Sequence, residues 1–191
     1  LRPGLALARL ARREERMTAV ATVATGAAAV ATPRYPLDID AVARPARAQA
    51  LLDALAARVV IADGAMGTML QRHDLKIETD FAGLEGCNEI LNVTRPDVVA
   101  KIHEAYFEAG ADAVESNTFG ANLSALGEYD IADRIGELAE AGARIAREAA
   151  DRLSTPDWPR YVLGSMGPGT KLPSLGHVTF AALRDGYRAC A

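Results

Sequence analysis

Residues that could bind a small ligand follow three separate apolar runs of the sequence. Asp63 and Gly64 come directly after the first run, Glu115 and Asn117 close the second, and the glycine-rich segment Gly164–Thr170 follows the third. An aspartate accepts hydrogen bonds or pairs with a cation such as an amine. A glycine lets backbone N–H groups approach a small anion such as a carboxylate. The segments therefore have the chemistry to hold an amine and a small anion.

Two further residues extend these groups. Gly67 has the same backbone freedom as Gly64, including access to positive φ, and Thr118 adds a hydroxyl beside Asn117. Glu115 and Asn117 are two positions apart, so their side chains share one face of a strand. Each segment also has a purely structural interpretation, as a turn, a hydrogen-bonded carboxylate or a loop. The binding hypothesis therefore depends on the three segments meeting in the fold.

The surrounding pattern predicts alternating strands and helices. The predicted elements, in chain order, are a helix at Ala48–Ala57, a buried strand at Val59–Ala62, a helix from Thr94 to Gly110, a strand at Ala111–Asn117, a helix at about 128–153, a strand at Tyr161–Met166 and a helix from Thr179. This alternation predicts a parallel sheet with helices outside it. Either an open doubly wound sheet or the first part of a (β/α)8 barrel would bind ligands at the carboxyl ends of the strands.

The second helix has the clearest start signal. Thr94 is its predicted cap, Pro96 fits the first turn, and Asp97 has the spacing of a capping box. His103 lies off the apolar stripe of this helix and is predicted to be on the surface.

The first 48 residues differ from the rest. They are rich in arginine, alanine and proline without a sustained period, so residues 1–48 are predicted to be a disordered leader and residues 49–191 a domain. An arginine-rich targeting peptide is an alternative that Glu14 and Glu15 disfavour. Met17 is an alternative start, and the chain stops at Ala191 within a predicted helix, which suggests truncation.

Composition excludes several classes of function. The formal net charge of −4 gives no electrostatic reason to expect nucleic acid or an anionic membrane as partner. The sequence contains two cysteines, which cannot form a disulfide framework and favour a reducing, cytoplasmic location. No phosphate-binding P-loop or dinucleotide-binding glycine motif is present.

Six segments occur in an order and spacing that point to one family. They are Ile61–Gln71, Gly86–Leu91, Thr94–Pro96, Ile102–Asp112, Glu115–Phe119 and Gly164–Pro168. Together they resemble the homocysteine-binding module of the cobalamin-dependent methionine synthase family, over about residues 58–191. The resemblance implies the first three β/α units of a (β/α)8 TIM barrel. It also implies that the barrel binds homocysteine, with contacts from Asp63, Gly64, Ala65, Glu115, Asn117 and Thr118.

The family reaction transfers a methyl group from methylcobalamin to the homocysteine thiolate, giving methionine. The resemblance implies zinc as a cofactor, held by three cysteines late in the barrel, and implies folate- and cobalamin-binding modules as partners in the full-length chain. Neither cysteine pattern occurs here, so no catalytic or metal-ligating residue is assigned and Cys87 and Cys190 are not taken as ligands. This chain alone is expected to lack methyl transfer and tight zinc binding; stoichiometric nanomolar binding in a chelator competition would contradict that expectation.

Other interpretations stay open at this point. A related homocysteine methyltransferase that uses betaine or S-methylmethionine would share the barrel and the Asp63-Gly64 turn. A non-catalytic fragment would explain the missing zinc ligands. A barrel acting on sugar phosphates is disfavoured, because no phosphate-binding loop is visible.

Overall fold

The structure is a computed structural model that describes residues 46–190. Its elements are α1 (Ala46–Ala57), α2 (Met66–Leu70), a 3-10 turn (Asn88–Ile90), α3 (Leu91–Thr94), α4 (Pro96–Glu108), β1 (Ala113–Glu115), α5 (Leu123–Gly127), a 3-10 turn (Ala132–Arg134), α6 (Ile135–Leu153), β2 (Tyr161–Leu163), a 3-10 turn (Pro173–Leu175) and α7 (Phe180–Cys190). None of the helices in this described part is long and apolar enough to cross a bilayer.

The sheet places the predicted ligand-binding segments side by side. β1 and β2 pair in parallel, with Val114 opposite Val162. On the other edge of β1, Ala62 forms a parallel bridge with Ala113, and the Asp63 N–H donates to the Ala113 carbonyl at 2.9 Å. These contacts confirm an α/β fold with parallel strands. Its inclusion in a (β/α)8 barrel stays a prediction.

The prediction of a buried strand at Val59–Ala62 is wrong in two respects. Only Ala62 forms a strand-type bridge, and the side chains of Val59 and Ile61 are 84% and 58% exposed. Within residues 46–190 the segment has β1 on one edge and no further strand on the other. A β-branched run needs packing on both faces to become a buried strand. Residues 46–190 supply only part of that packing around Val59–Ala62.

Two helices form most of the core behind the sheet. α4 contributes a stripe of buried residues that includes Val99, Ile102 and Phe107, and α6 contributes Leu138 and Ile145. The spacing of three residues between Val99 and Ile102, and of seven between Leu138 and Ile145, places each pair on one helical face. The packing holds the carboxyl end of β1 at a fixed position relative to both helices.

The start of α4 differs from the prediction. Thr94 belongs to α3, and its hydroxyl donates to the carbonyl of Ile90 at 3.1 Å. The cap of α4 is Arg95, which pairs with Asp97 through two hydrogen bonds of 3.0 Å. The predicted capping box is therefore absent. An aspartate beside an arginine forms an ion pair instead of reaching back to the backbone.

Three other predictions need correction or restriction. His103 is fully buried on α4, so its prediction as a surface residue is wrong. The long helix begins at Ile135, not at about 128, because Asp130 has a left-handed φ of 59°. Residues 46–48, assigned to the leader, are the first turn of α1, whereas the prediction for residues 1–45 lies outside the described residues.

Candidate functional site

A cleft of about 450 Å³ opens at the carboxyl ends of the parallel segments. Its lining combines the turn after Ala62, the loop after β1 and the start of the loop after β2 with the 3-10 turn before α3. The lining residues are Asp63, Gly64, Ala65, Met66, Gly67, Asn88, Glu89, Glu115, Ser116, Asn117, Phe119 and Ser165. The cleft thus contains five of the six residues that the resemblance implies as homocysteine contacts.

Direct hydrogen bonds join the three segments inside the cleft. The backbone N–H of Glu115 donates to Asp63 Oδ1 at 3.0 Å. The Ser165 hydroxyl donates to Glu115 Oε2 at 2.9 Å. Because the parallel register brings these ends to one edge of the sheet, residues more than 100 positions apart form a continuous chain of contacts.

Asp63 has an unusual protonation equilibrium. Burial raises the pKa of its carboxyl to about 6, and the negative charge of Glu115 adds to the increase. The hydrogen bond from the Glu115 N–H acts in the opposite direction and only partly offsets burial. Asp63 is therefore a carboxylate with incomplete compensation for its charge, which favours a cationic ligand.

The glycines of the first turn act through close approach, not through positive φ. Neither Gly64 nor Gly67 is among the residues with positive φ. A Cβ on Gly64 would lie 3.2 Å from the Tyr106 hydroxyl, a separation tighter than ordinary packing. Gly64 therefore lets the turn lie against α4, with its backbone facing the cleft.

Asn117 ties the loop after β1 to the helices behind it. Its Nδ2 donates to the Asn88 carbonyl at 2.8 Å and to Asn92 Oδ1 at 2.9 Å. In return, Asn92 Nδ2 donates to the Asn117 carbonyl at 2.8 Å and to the Leu138 carbonyl at 3.0 Å. A Cβ on Gly142 of α6 would lie 2.6 Å from Asn92 Nδ2 and 3.2 Å from the Asn117 carbonyl oxygen, so only a glycine lets α6 approach the loop this closely.

Thr118 lies beneath the cleft and is absent from its lining. The residue is 5% exposed, and its hydroxyl donates to the Ser165 carbonyl at 2.8 Å and bonds to Ser116 Oγ at 2.7 Å. The Ser165 N–H donates to Ser116 Oγ at 3.1 Å. These bonds hold the loops after β1 and β2 together, and a ligand contact by Thr118 stays a prediction.

The structure adds cleft residues that the sequence argument did not single out. Glu89 is 8% exposed, and its Oε1 accepts a hydrogen bond from the Gly120 N–H at 2.7 Å. Asn88 lies beside it, with Nδ2 3.7 Å from the position of a Cβ on Gly67. Both residues belong to one of the family-like segments, which was the only signal for them, because neither follows a predicted strand.

The described residues do not offer the donor set that zinc would need. Residues 46–190 contain no group of three or more His, Cys, Asp and Glu side chains arranged to hold a metal ion. Burial raises the pKa of both the Cys87 and the Cys190 thiol, which disfavours the thiolate form that binds zinc. Cys87 packs within the apolar core. The residues present therefore do not fit zinc.

Comparison with known proteins defines the class. Residues 60–191 match the family model described as Homocysteine S-methyltransferase. The chain belongs to this family, which confirms the resemblance drawn from the six segments.

Two curated relatives are similar over the same part of the chain. The chain is 66% identical over 141 residues to the methionine synthase of Mycobacterium tuberculosis (strain ATCC 25618 / H37Rv). It is 64% identical over 141 residues to the methionine synthase of Mycobacterium leprae (strain TN). Each alignment covers 74% of this chain and 12% of the relative, so the chain spans a small part of those proteins.

A solved structure shares the fold. The oxidized form of the homocysteine methyltransferase MmuM from Escherichia coli is 20% identical and superposes with a TM-score of 0.50. The match covers 64% of this chain and 41% of that chain. At this identity the likeness concerns the fold alone.

Proposed function

We propose that the chain contributes the first three β/α units of the homocysteine-binding (β/α)8 barrel of a methionine synthase. In this proposal the cleft binds the amino-acid end of homocysteine. The support is the family match together with the high identity to two methionine synthases. The parallel order of three segments and the position of the cleft at their carboxyl ends agree with such a barrel.

The observation that carries the proposal is the charge of the cleft. Asp63, Glu89 and Glu115 line it, and none of its lining residues is a lysine or arginine. A partly buried wall of carboxylates attracts cations and repels anions. The α-ammonium group of an amino acid supplies a positive charge with three hydrogen-bond donors, which suits acceptor-only side chains.

Other lining groups of the cleft suit the carboxylate of the ligand. The side-chain amide of Asn88 lies beside Gly67, where it can donate to an anion, and the exposed turn at Gly64 and Ala65 presents backbone. Phe119 is 60% exposed at the cleft and offers an apolar surface for the methylene groups of homocysteine. The ligand is thus oriented by its two charged groups.

The contribution of this chain to methyl transfer is orientation. Holding the amino-acid end at fixed groups directs the sulfur away from the carboxylates and lowers the entropic cost of reaction. The proposed reaction is transfer of a methyl group from methylcobalamin to the homocysteine thiol sulfur. Since the described residues do not fit zinc, no step through a metal is assigned to them, and folate- and cobalamin-binding modules are proposed as partners in the whole enzyme.

Calorimetric titration of the 191-residue chain with L-homocysteine tests the proposal. We expect saturable binding at pH 7.5 and a loss of about tenfold or more in affinity for Asp63→Asn, because the variant removes a charge-assisted hydrogen bond. Asp74→Asn is the matched control, since the Asp74 side chain is 88% exposed and outside the cleft. Absence of binding by the unaltered chain, or equal affinity of the Asp63 variant, would contradict the proposal.

A betaine- or S-methylmethionine-dependent enzyme is the second candidate. The identity of 66% to a methionine synthase favours the methionine synthase barrel over this second candidate.

A further inference from the structure

Glu89 is the most deeply buried of the three carboxylates at the cleft. It lies in the 3-10 turn Asn88–Ile90, next to the apolar core, and only 8% of the residue is exposed. Buried glutamates are uncommon unless a partner compensates the charge. Solvent alone therefore does not compensate the charge of the Glu89 carboxylate.

The protein satisfies only one side of this carboxylate. Oε1 accepts the Gly120 N–H at 2.7 Å, whereas Oε2 has no hydrogen-bond partner within residues 46–190. A charged carboxylate has about four acceptor positions, so one backbone donor leaves most of its capacity free. Because Glu89 lines the cleft, a bound ligand can supply the missing donor.

Backbone packing fixes the direction of this side chain. A Cβ on Gly120 would lie 2.8 Å from Oε1 and 2.9 Å from Oε2, so the loop after β1 closes directly over the carboxylate. The neighbouring Asn88 carbonyl is in turn bonded to Asn117 Nδ2. Glu89 is thus held by the loop that follows Glu115, and its position is set before any ligand arrives.

We propose that Glu89 is a specificity-determining residue whose carboxylate accepts a hydrogen bond from the α-ammonium group of the amino-acid ligand. This inference rests on the proposed function, since it names the group that the cleft uses to recognise homocysteine. The consequence is selection: the cleft takes an amino acid and rejects a thiol acid of the same length without the amine. An uncompensated carboxylate left beside an uncharged methylene causes the rejection.

The test compares two ligands on two proteins. L-Homocysteine and 4-mercaptobutanoate differ only by the α-ammonium group, and Glu89→Gln keeps a carbonyl oxygen for the Gly120 N–H. By calorimetry on the whole chain at pH 7.5, we expect Glu89→Gln to weaken homocysteine about 10- to 100-fold and to leave 4-mercaptobutanoate unchanged or tighter. Glu108→Gln, an exposed position on α4, is the control and should change neither affinity.

The ratio of the two affinities separates recognition from structure. If Glu89→Gln weakens both ligands equally, or neither, Glu89 does not recognise the ammonium group and the inference is overturned while the proposed function stands. If the unaltered chain binds no homocysteine, the proposed function fails as well. Should Glu89→Gln fold poorly, Gly120→Ala provides a second variant, because its Cβ displaces the carboxylate and should reduce the same ratio.

Discussion

Two aspartates at opposite ends of the same parallel segments have opposite environments. Asp112 immediately precedes β1, and its carboxylate accepts hydrogen bonds from both terminal nitrogens of Arg58, from the Ile61 N–H and from Trp158 Nε1 at 2.7–2.9 Å. Asp63, at the other end, accepts one from the Glu115 N–H. The first carboxylate is saturated by the protein, whereas the second is left with capacity for a ligand.

The pKa values of the two carboxyls shift in opposite directions for this reason. Hydrogen bonds from Arg58 hold the pKa of Asp112 far below its usual range despite burial. Burial without such compensation raises the pKa of Asp63 to about 6. The amino end of the sheet is therefore organised for stability, whereas the carboxyl end leaves charge unpaired at the cleft.

The largest expected effect is on the saturated side. Asp112→Ala removes four hydrogen bonds and leaves Arg58 and Trp158 without this partner, so we expect the free energy of unfolding to fall by about 3 kcal/mol. Urea denaturation at pH 7.5 measures the change, with the exposed Asp74→Ala as control. A loss below about 0.5 kcal/mol would show that the cluster around Asp112 is dispensable.

The pH dependence of this effect has a defined sign. A carboxyl with a lowered folded-state pKa contributes stability above its unfolded pKa of about 4, and the contribution is lost as the pH falls. The stability difference between the unaltered chain and Asp112→Ala should therefore narrow below about pH 4. The cleft lies at the other end of the segments, so folded Asp112→Ala should still bind homocysteine.

The smaller expected effect has the opposite sign. Because the folded-state pKa of Asp63 is raised, its protonation stabilises the fold at low pH, and this stabilisation is lost as the pH rises through about 6. Asp63→Asn should therefore increase the urea midpoint relative to the unaltered chain at pH 7.5, with the difference disappearing at about pH 4. Thermal and urea unfolding at both pH values measure it. A variant less stable than the unaltered chain at pH 7.5 would remove the contrast between the two aspartates.

Sequence reasoning located the cleft because it depends on strand order. The apolar runs that include Ala62 and Val114 indicated parallel segments, and their carboxyl ends do bring Asp63 and Glu115 together. The same reasoning missed Glu89, which follows no strand and reaches the cleft through the long connection before α3. The position of a residue in a long connecting segment depends on how that segment runs through the fold, and the sequence of such a segment has no helix or strand periodicity that would predict it.

Local patterns failed where several partners competed for one residue. Thr94 has the spacing of a cap, but its hydroxyl donates to the carbonyls of Ile90 and Asp80, and Asp97 pairs with Arg95. His103 lies beside the apolar stripe of α4, which predicted an exposed position. In the structure the buried surface of α4 is wider than this stripe, so the imidazole is buried as well. Burial on this scale depends on tertiary packing, which periodicity along one helix does not report.

Gly142, in the middle of α6, allows the helix to pack closely against Asn92 and the loop after β1. Gly142 has lower helix propensity than alanine by about 1 kcal/mol, yet any side chain there would push against Asn92 and the strand-end loop. Because Gly142 has no side chain, the backbone of α6 packs directly against that loop. Because Asn117 lines the cleft, the position of α6 limits where this lining residue can lie.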